Sequence, residues 1–398
     1  MLVWISRLLG LAFVAVGATL LITWATSDDP KFNPASFEDA PFAQSIASPD
    51  VATTLAQYRA GDGTVVTLLV ERQEGDHVIG IDLSDLGAAS LVDPFAVLAS
   101  LDESQLRDAM MGPFDRQTVK IADLLPTGSL GSRHLGIGTN FPEHAEESNS
   151  SSVFNFPKFG TATPARTTVS AAKGGLLDYE VELCMRFDRA IATLDDFDAA
   201  VKGVFLCADF TDRIAILELA DPDNLDSGYG FSDAKSGPGF FPTGPFLVIP
   251  YDWSAFIDET RMMTHHNGVA RQDARGEEMT LDFRQLTEKV LADMEEPRFF
   301  YDGAFYKLAP SGQIDQDMTL MSGTSEGVIF TAPARHDYIE MALAYAMAGG
   351  PWSDKDLMDI AIPVFVENEV ASGHFLQPGD TVRYQASNLG DIVVEITD

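Results

Sequence analysis

The sequence predicts an α+β chain that is predominantly β. Three observations carry that expectation. Its 398 residues are 45% hydrophobic, enough to bury a substantial interior but too many for one ordinary core. From about residue 130 onward, short apolar runs recur between Gly and Pro, as in "LLDYEVELCMRF", "VKGVFLCAD", "GPFLVIPYDW" and "DTVRYQASNLGDIVVEI". Helical periodicity, by contrast, is confined to a few stretches. Strands at this density predict a mixed sheet that is closed or sandwiched.

The elements follow in chain order. "LLGLAFVAVGATLLITW", residues 8–24, carries no charge, and Trp4 and Trp24 lie twenty residues apart with Arg7 before the run and Asp28 and Asp29 after it. That pattern predicts a transmembrane anchor over residues 1–27 with the body on the non-cytoplasmic side. The alternative is a signal segment cleaved near Ala25-Thr26-Ser27, which would leave a secreted or periplasmic protein. Residues 28–37 read as a linker. A small accessory α+β domain is expected over 38–125. There "GTVVTLLVER" and "HVIGIDL" flank the turn "QEGD", and "PFAVLASLDESQLRDAMM" has helical spacing. The main domain is expected over 126–398, with helices at "LDDFDAAV" and "LDFRQLTEKVLADM". Residues 331–374, with the helical run "HDYIEMALAYAMAGG", read as an insertion.

Charge narrows the partners. Sixty acidic residues against 26 Lys and Arg give a formal charge of −34, which repels phosphate backbones and makes nucleic acid an unexpected partner. Cys184 and Cys207 lie in apolar runs without CxxC or Cys/His spacing. Zinc-finger and redox-motif readings therefore fail, and buried free thiols are expected ahead of a disulfide.

Two patterns carry chemistry. In "LDYEVEL", Glu180 and Glu182 are two apart, so on a strand their carboxylates share a face, and Asp209 alternates with Cys207 and Phe205 in "VKGVFLCAD". Three carboxylates on one sheet are costly to bury unpaired, and a hard cation, Mg²⁺ or Mn²⁺, would relieve them. A solvent-facing strand surface is the competing reading. In "GIGTNFPEHAEE", residues 136–147, His144 and Glu147 stand three apart, on one face of a helix. The pair reads either as a base with its orienting carboxylate or as surface charge.

The stretch from about 124 to the C-terminus resembles the fumarylacetoacetate hydrolase family, in its C-terminal-domain form. "GTNFPEHAEE" is similar to its G-x-N-Y-x-x-H-x-x-E segment, "NFPKFGTA" to its F-x-K-P-x-S-A loop, and "LDYEVEL" to its metal strand. "ADFTDR" stands where the family has N-D-x-S-A-R, and "DAKSGPGFFPTGPFLV" resembles A-K-S-x-D-x-F-x-P-x-G-P. "NGVARQD", "SGTSEGV" and "LQPGDTV" follow in the family's order. The resemblance implies a mixed β-roll, a homodimer and a Mg²⁺ or Mn²⁺ site. It assigns Glu180, Glu182 and Asp209 as metal ligands and His144 and Glu147 as a water-activating dyad. Lys235 falls beside the metal in a catalytic position, and Lys158, Arg213 and Thr324 in substrate-binding positions. It implies hydrolysis of a C–C bond in a small anionic 2,4-diketo acid. Decarboxylation or keto–enol isomerisation of a 2-oxo acid is the alternative on the same site. A membrane-tethered binding protein without turnover is the alternative from another class. Phe141 replaces the usual tyrosine and Phe159 the usual proline, Asp212 stands where alanine is common, and Ile216 where many members have a substrate-touching glutamine.

Overall fold

The structure, a computed structural model, describes the chain except for residues 1, 90, 149, 151, 222, 223 and 353; the side chains of residues 2–13, 103 and 226 also lie outside the description. The chain divides into two compact units, residues 34–328 with 376–398, and residues 1–33 with 329–375.

Among its described residues the larger unit holds nineteen strands in chain order: β1 (Ala52–Arg59), β2 (Val65–Glu74), β3 (His77–Asp82), β4 (Gln117–Lys120), β5 (Arg133–Gly138), β6 (Phe154–Phe159), β7 (Arg166–Ser170), β8 (Leu177–Asp178), β9 (Val181–Phe187), β10 (Lys202–Ala208), β11 (Thr211–Asp212), β12 (Leu247–Pro250), β13 (Arg261–His266), β14 (Val269–Arg275), β15 (Phe299–Tyr301), β16 (Ala304–Tyr306), β17 (Leu320–Met321), β18 (Thr381–Ala386) and β19 (Gly390–Thr397). Ten of them form one sheet in the order β4-β3-β2-β1-β12-β10-β9-β17-β5-β6. Five form a second, β14-β13-β18-β19-β7. Parallel pairs β17/β5 and β19/β7 among antiparallel neighbours make both sheets mixed. β9 and β10 pack against β13, β18 and β19 of the second sheet. Both are buried along their whole length, so their apolar residues run continuously instead of alternating.

The β2/β3 hairpin turns through Gly75-Asp76, with Glu74 opposite His77. Gly75 has φ +58°, a conformation that glycine adopts without cost. The four strands between residues 52 and 120 join the large sheet through the β1/β12 pairing, and β12 in turn pairs with β10, one of the strands that lead to the candidate site.

The smaller unit is helical, with helices Leu2–Ala25, Arg335–Met347 and Met358–Ser372. Here the expected transmembrane anchor is corrected. Among the described residues no helix is long and apolar enough to cross a membrane. The first helix packs on Arg335–Met347, and the Trp24 indole Nε1 donates to Glu340 Oε1 at 2.7 Å, so a protein carboxylate takes the group assigned to a membrane interface. The membrane partner and the membrane-anchored localisation rested on that anchor and are corrected with it. The side chains of Trp4 and Arg7 lie outside the described residues.

The expected free thiols are also corrected: Cys184 and Cys207 form a disulfide, with Cα atoms 5.9 Å apart, inside the range a disulfide spans. Isolated apolar runs gave no hint of this. Pairing of β9 with β10 sets Cys207 opposite Glu182 and Cys184 opposite Phe205, making the two cysteines diagonal neighbours on one face.

Candidate active site

The site forms where the β9/β10 ribbon ends. Antiparallel pairing runs to Val181 opposite Ala208, and the Asp209 N–H then donates to Glu180 O at 3.0 Å. Two residues further on, the same two chain segments pair again as β8 and β11. Glu180 and Asp209 therefore lie in the break between two ribbons, just outside the regular strands, while Glu182 lies on β9. One oxygen from each of Glu180, Glu182 and Asp209 falls within 4.8 Å of the others, and all three residues are buried. The solvent-facing reading of this strand therefore fails.

Three cations are built into the cluster. Helix Phe231–Lys235 delivers Lys235, whose Nζ donates to Glu180 Oε2 (2.6 Å), Asp209 Oδ2 (3.0 Å) and Thr211 Oγ1 (2.8 Å). Lys158 on β6 is fully buried, and its Nζ donates to Asp209 Oδ1 (2.5 Å) and to the Lys235 carbonyl. Arg213 donates from Nε to Asp178 Oδ2 (2.8 Å) and from Nη2 to Glu180 Oε1 (3.0 Å). Burial opposes charge on Lys235 and Arg213, but the facing carboxylates outweigh it and raise both above their usual range. For Lys158 burial dominates, and its ammonium is lowered despite Asp209.

The carboxylates differ among themselves. Burial raises the Glu180 carboxyl, yet Lys235, Arg213 and His144 together bring it down to about 2. Glu182 moves the other way: burial, then Asp209 and Glu180, hold its carboxyl well above the usual range. Among the described residues it takes one hydrogen bond, from the Gly323 N–H at 2.9 Å. Among the described residues, four buried carboxyl groups (Asp178, Glu180, Glu182 and Asp209) thus face three buried cationic side chains, and Glu182 is the one that no cation hydrogen-bonds. An all-oxygen donor set with an uncompensated carboxylate fits a hard divalent cation such as Mg²⁺ or Mn²⁺.

The dyad lies in the same unit. Pro142 opens the short helix Pro142–Glu147, which brings His144 and Glu147 to one face. Asn140 pins the approach to this helix, donating to Leu281 O (3.0 Å) and Ser322 O (2.9 Å) and accepting from Leu281 N–H (2.9 Å). His144 Nδ1 lies 2.9 Å from Glu147 Oε2, and the histidine is buried. Glu147 Oε1 accepts from the Gly327 N–H at 2.9 Å. One turn, residues 323–327, therefore holds Glu182 at its first N–H and Glu147 at its last. Gly327 has φ +94°, and a Cβ there would meet Arg271 O at 2.1 Å, so the turn requires glycine.

Thr324 in this turn is buried and accepts from Gln272 Nε2 at 2.9 Å. Gln272, within "NGVARQD", has no sequence pattern that assigns it a role. Its amide also donates to Ser325 O (2.9 Å) and accepts from Val181 N–H (3.2 Å) and Thr264 Oγ1 (2.8 Å), tying the turn to the residue between Glu180 and Glu182. Asp178 and Thr211 were missed as well. Asp178 repeats the two-residue spacing of Glu180 and Glu182, and that was the available signal. His134 is also buried, its ring set between Gly160 O at 3.1 Å and the Thr319 N–H at 3.3 Å; burial and then Lys158 lower it to about 3.

Comparisons agree with this architecture. No curated protein matches the chain. A solved structure from Mycobacterium smegmatis, described as HpcE, aligns at a TM-score of 0.53 with 19% identity over 86% of this chain and 99% of its own. A 2-hydroxyhepta-2,4-diene-1,7-dioate isomerase from Mycobacterium marinum aligns at 0.48 with 16% identity, over 87% and 98%. A fumarylpyruvate hydrolase from Pseudomonas aeruginosa, in complex with Mn²⁺ and pyruvate, aligns at 0.43 with 16% identity, over 71% and 91%. Only the first bears on the fold, and none at these identities bears on activity. The C-terminal model of fumarylacetoacetate hydrolase, however, matches residues 133–397, two thirds of the sequence, and on that match the chain belongs to the fumarylacetoacetate hydrolase family.

Proposed function

We propose that the chain is a metal-dependent enzyme acting on small 2-oxo acids, and that its reaction is hydrolytic cleavage of the C–C bond between the two carbonyls of a 2,4-diketo acid. The observation that carries the reading is the shared turn. Residues 323–327 hold Glu182 and the orienting carboxylate Glu147 through backbone N–H groups, so metal ligand and base are tied to one short segment.

Glu180, Glu182 and Asp209 would hold Mg²⁺ or Mn²⁺, which supplies Lewis-acid stabilisation of negative charge developing on substrate oxygens. Lys235 and Lys158 both donate to Asp209 and limit the net charge that an anionic substrate meets. Glu147 holds His144 through Nδ1, which leaves Nε2 as the nitrogen free to take a proton from water. That water attacks the carbonyl distal to the carboxylate, and the proton on Nε2 is then available to the carbon released by cleavage. Thr324 and Arg213 complete the surroundings of the substrate, with Arg213 acting through Glu180.

The test is a screen of the Mg²⁺- or Mn²⁺-loaded protein against acylpyruvates, fumarylacetoacetate and oxaloacetate, alongside Glu182→Ala. Hydrolysis of an acylpyruvate that disappears in Glu182→Ala, together with metal-induced thermal stabilisation, supports the reading. Metal stabilisation unchanged in that variant removes Glu182 from the site. Turnover of oxaloacetate alone would assign the site to decarboxylation.

A further inference from the structure

We infer that the Cys184–Cys207 cystine is a positioning element of the metal centre, fixing the spacing of the two strands that carry its ligands. The inference rests on the metal reading above and goes beyond it, because it makes metal affinity depend on the oxidation state of two cysteines.

The placement follows from the β9/β10 register. Glu182 is directly opposite Cys207, so the two side chains leave the sheet on the same face. Cys184 lies two residues beyond Glu182 on β9 and therefore shares that face, as does Asp209, two residues beyond Cys207. The cystine is thus the next layer below the ligands, one pleat away from Glu182 on β9 and from Asp209 beyond the end of β10. It is also the covalent tie between the two segments. Glu180 joins the same pair of segments through its carbonyl, which accepts from the Asp209 N–H.

The tie lies in tightly packed surroundings. Both cysteines are fully buried, in a core cluster with Leu55, Phe205, Phe241, Leu247 and Met321. Reduction takes up two electrons and two protons from a dithiol and converts one S–S bond into two S–H groups. Two non-bonded sulfurs need roughly 1.5 Å more separation than a bonded pair. A close-packed interior has no room to absorb that locally, so the displacement is passed to neighbouring positions on the same face. Those positions are Glu182 and Asp209. A hard dication such as Mg²⁺ needs its oxygens near octahedral positions, so spreading two of three ligands weakens binding. Linkage makes the coupling reciprocal: bound metal must stabilise the cystine against reduction by the same factor.

The experiment measures Mn²⁺ affinity by electron paramagnetic resonance on the full chain in three forms. These are the oxidised protein, the protein reduced with dithiothreitol in denaturant and refolded under reductant, and Cys184→Ala/Cys207→Ala. The Kd is expected to rise about 10-fold or more in both disulfide-free forms, with unchanged circular dichroism. A Kd within about 2-fold of the oxidised value in folded disulfide-free protein overturns the inference. Oxidised protein that binds no Mn²⁺ overturns the metal reading itself and the inference with it. If the disulfide-free forms do not fold, the wild-type chain still decides the question. Its thiol–disulfide equilibrium with dithiothreitol should shift toward the cystine on Mn²⁺ saturation, and Glu182→Gln should abolish the shift. An equilibrium indifferent to Mn²⁺ refutes the coupling.

Discussion

Replacing Lys235 with methionine separates the protein's own charge compensation from that supplied by a metal. Methionine keeps the apolar stem and removes the ammonium from its three contacts with Glu180, Asp209 and Thr211. The metal-free site would then hold four carboxylates against two cations, all buried. Removing one partner of a buried ion pair costs about 3–5 kcal/mol, because the carboxylates left behind are neither solvated nor paired. An unfolding entropy of about 2.1 cal/mol/K per residue, over the roughly 320 residues of the larger unit, gives about 0.7 kcal/mol per degree. The metal-free variant should therefore melt about 4–7 °C below metal-free wild type. Mn²⁺ should reverse the order of effects. At about 100 times its Kd a bound ion adds about 2.7 kcal/mol, or about 4 °C, to wild type. Lys235→Met should gain more, because the ammonium that competes for Glu180 and Asp209 is gone. Differential scanning fluorimetry with and without Mn²⁺ reads both quantities. A variant that melts with wild type, or whose loss is indifferent to Mn²⁺, would refute the charge accounting at this site.

Three further outcomes are expected. His144→Ala should lower acylpyruvate hydrolysis by about 10²–10⁴ while leaving Mn²⁺-induced stabilisation intact, and Glu147→Gln should give a smaller loss; steady-state kinetics beside melting curves separates these from a collapse of the site. His134 is depressed to about 3 in the folded chain against an ordinary value of 6.5. The unfolded chain therefore binds a proton that the native one refuses, and this contribution is complete above pH 6.5 and lost as pH falls toward 3. In His134→Gln the stability lost between pH 7 and pH 4, measured by denaturant unfolding, should shrink by about 3 kcal/mol. Gly327→Ala should cost at least about 2 kcal/mol, since a Cβ would strike Arg271 O, and it should reduce hydrolysis by displacing the N–H that holds Glu147; a stable, active Gly327→Ala would show that the turn tolerates a side chain.

Local patterns in the sequence determined much of this. Hydrophobic alternation around "QEGD" specifies the β2/β3 hairpin because its signal lies within twenty residues. The two-residue spacing of Glu180 and Glu182 and the three-residue spacing of His144 and Glu147 fix shared faces through backbone periodicity alone. The ordered motifs identified the family over the C-terminal two thirds. What the periodicity could not supply was the partner on each face. The Gly323 N–H reaches Glu182 across 141 residues of sequence, and the Gly327 N–H reaches Glu147 across 180. Free thiols and a cystine have the same local sequence; the diagonal register of β9 on β10 decided between them. The apolar N-terminal run failed for the same reason. Hydropathy measures how strongly a segment avoids water but not what replaces the water, and here Glu340, 316 residues away, takes the Trp24 indole that the sequence had assigned to a membrane interface.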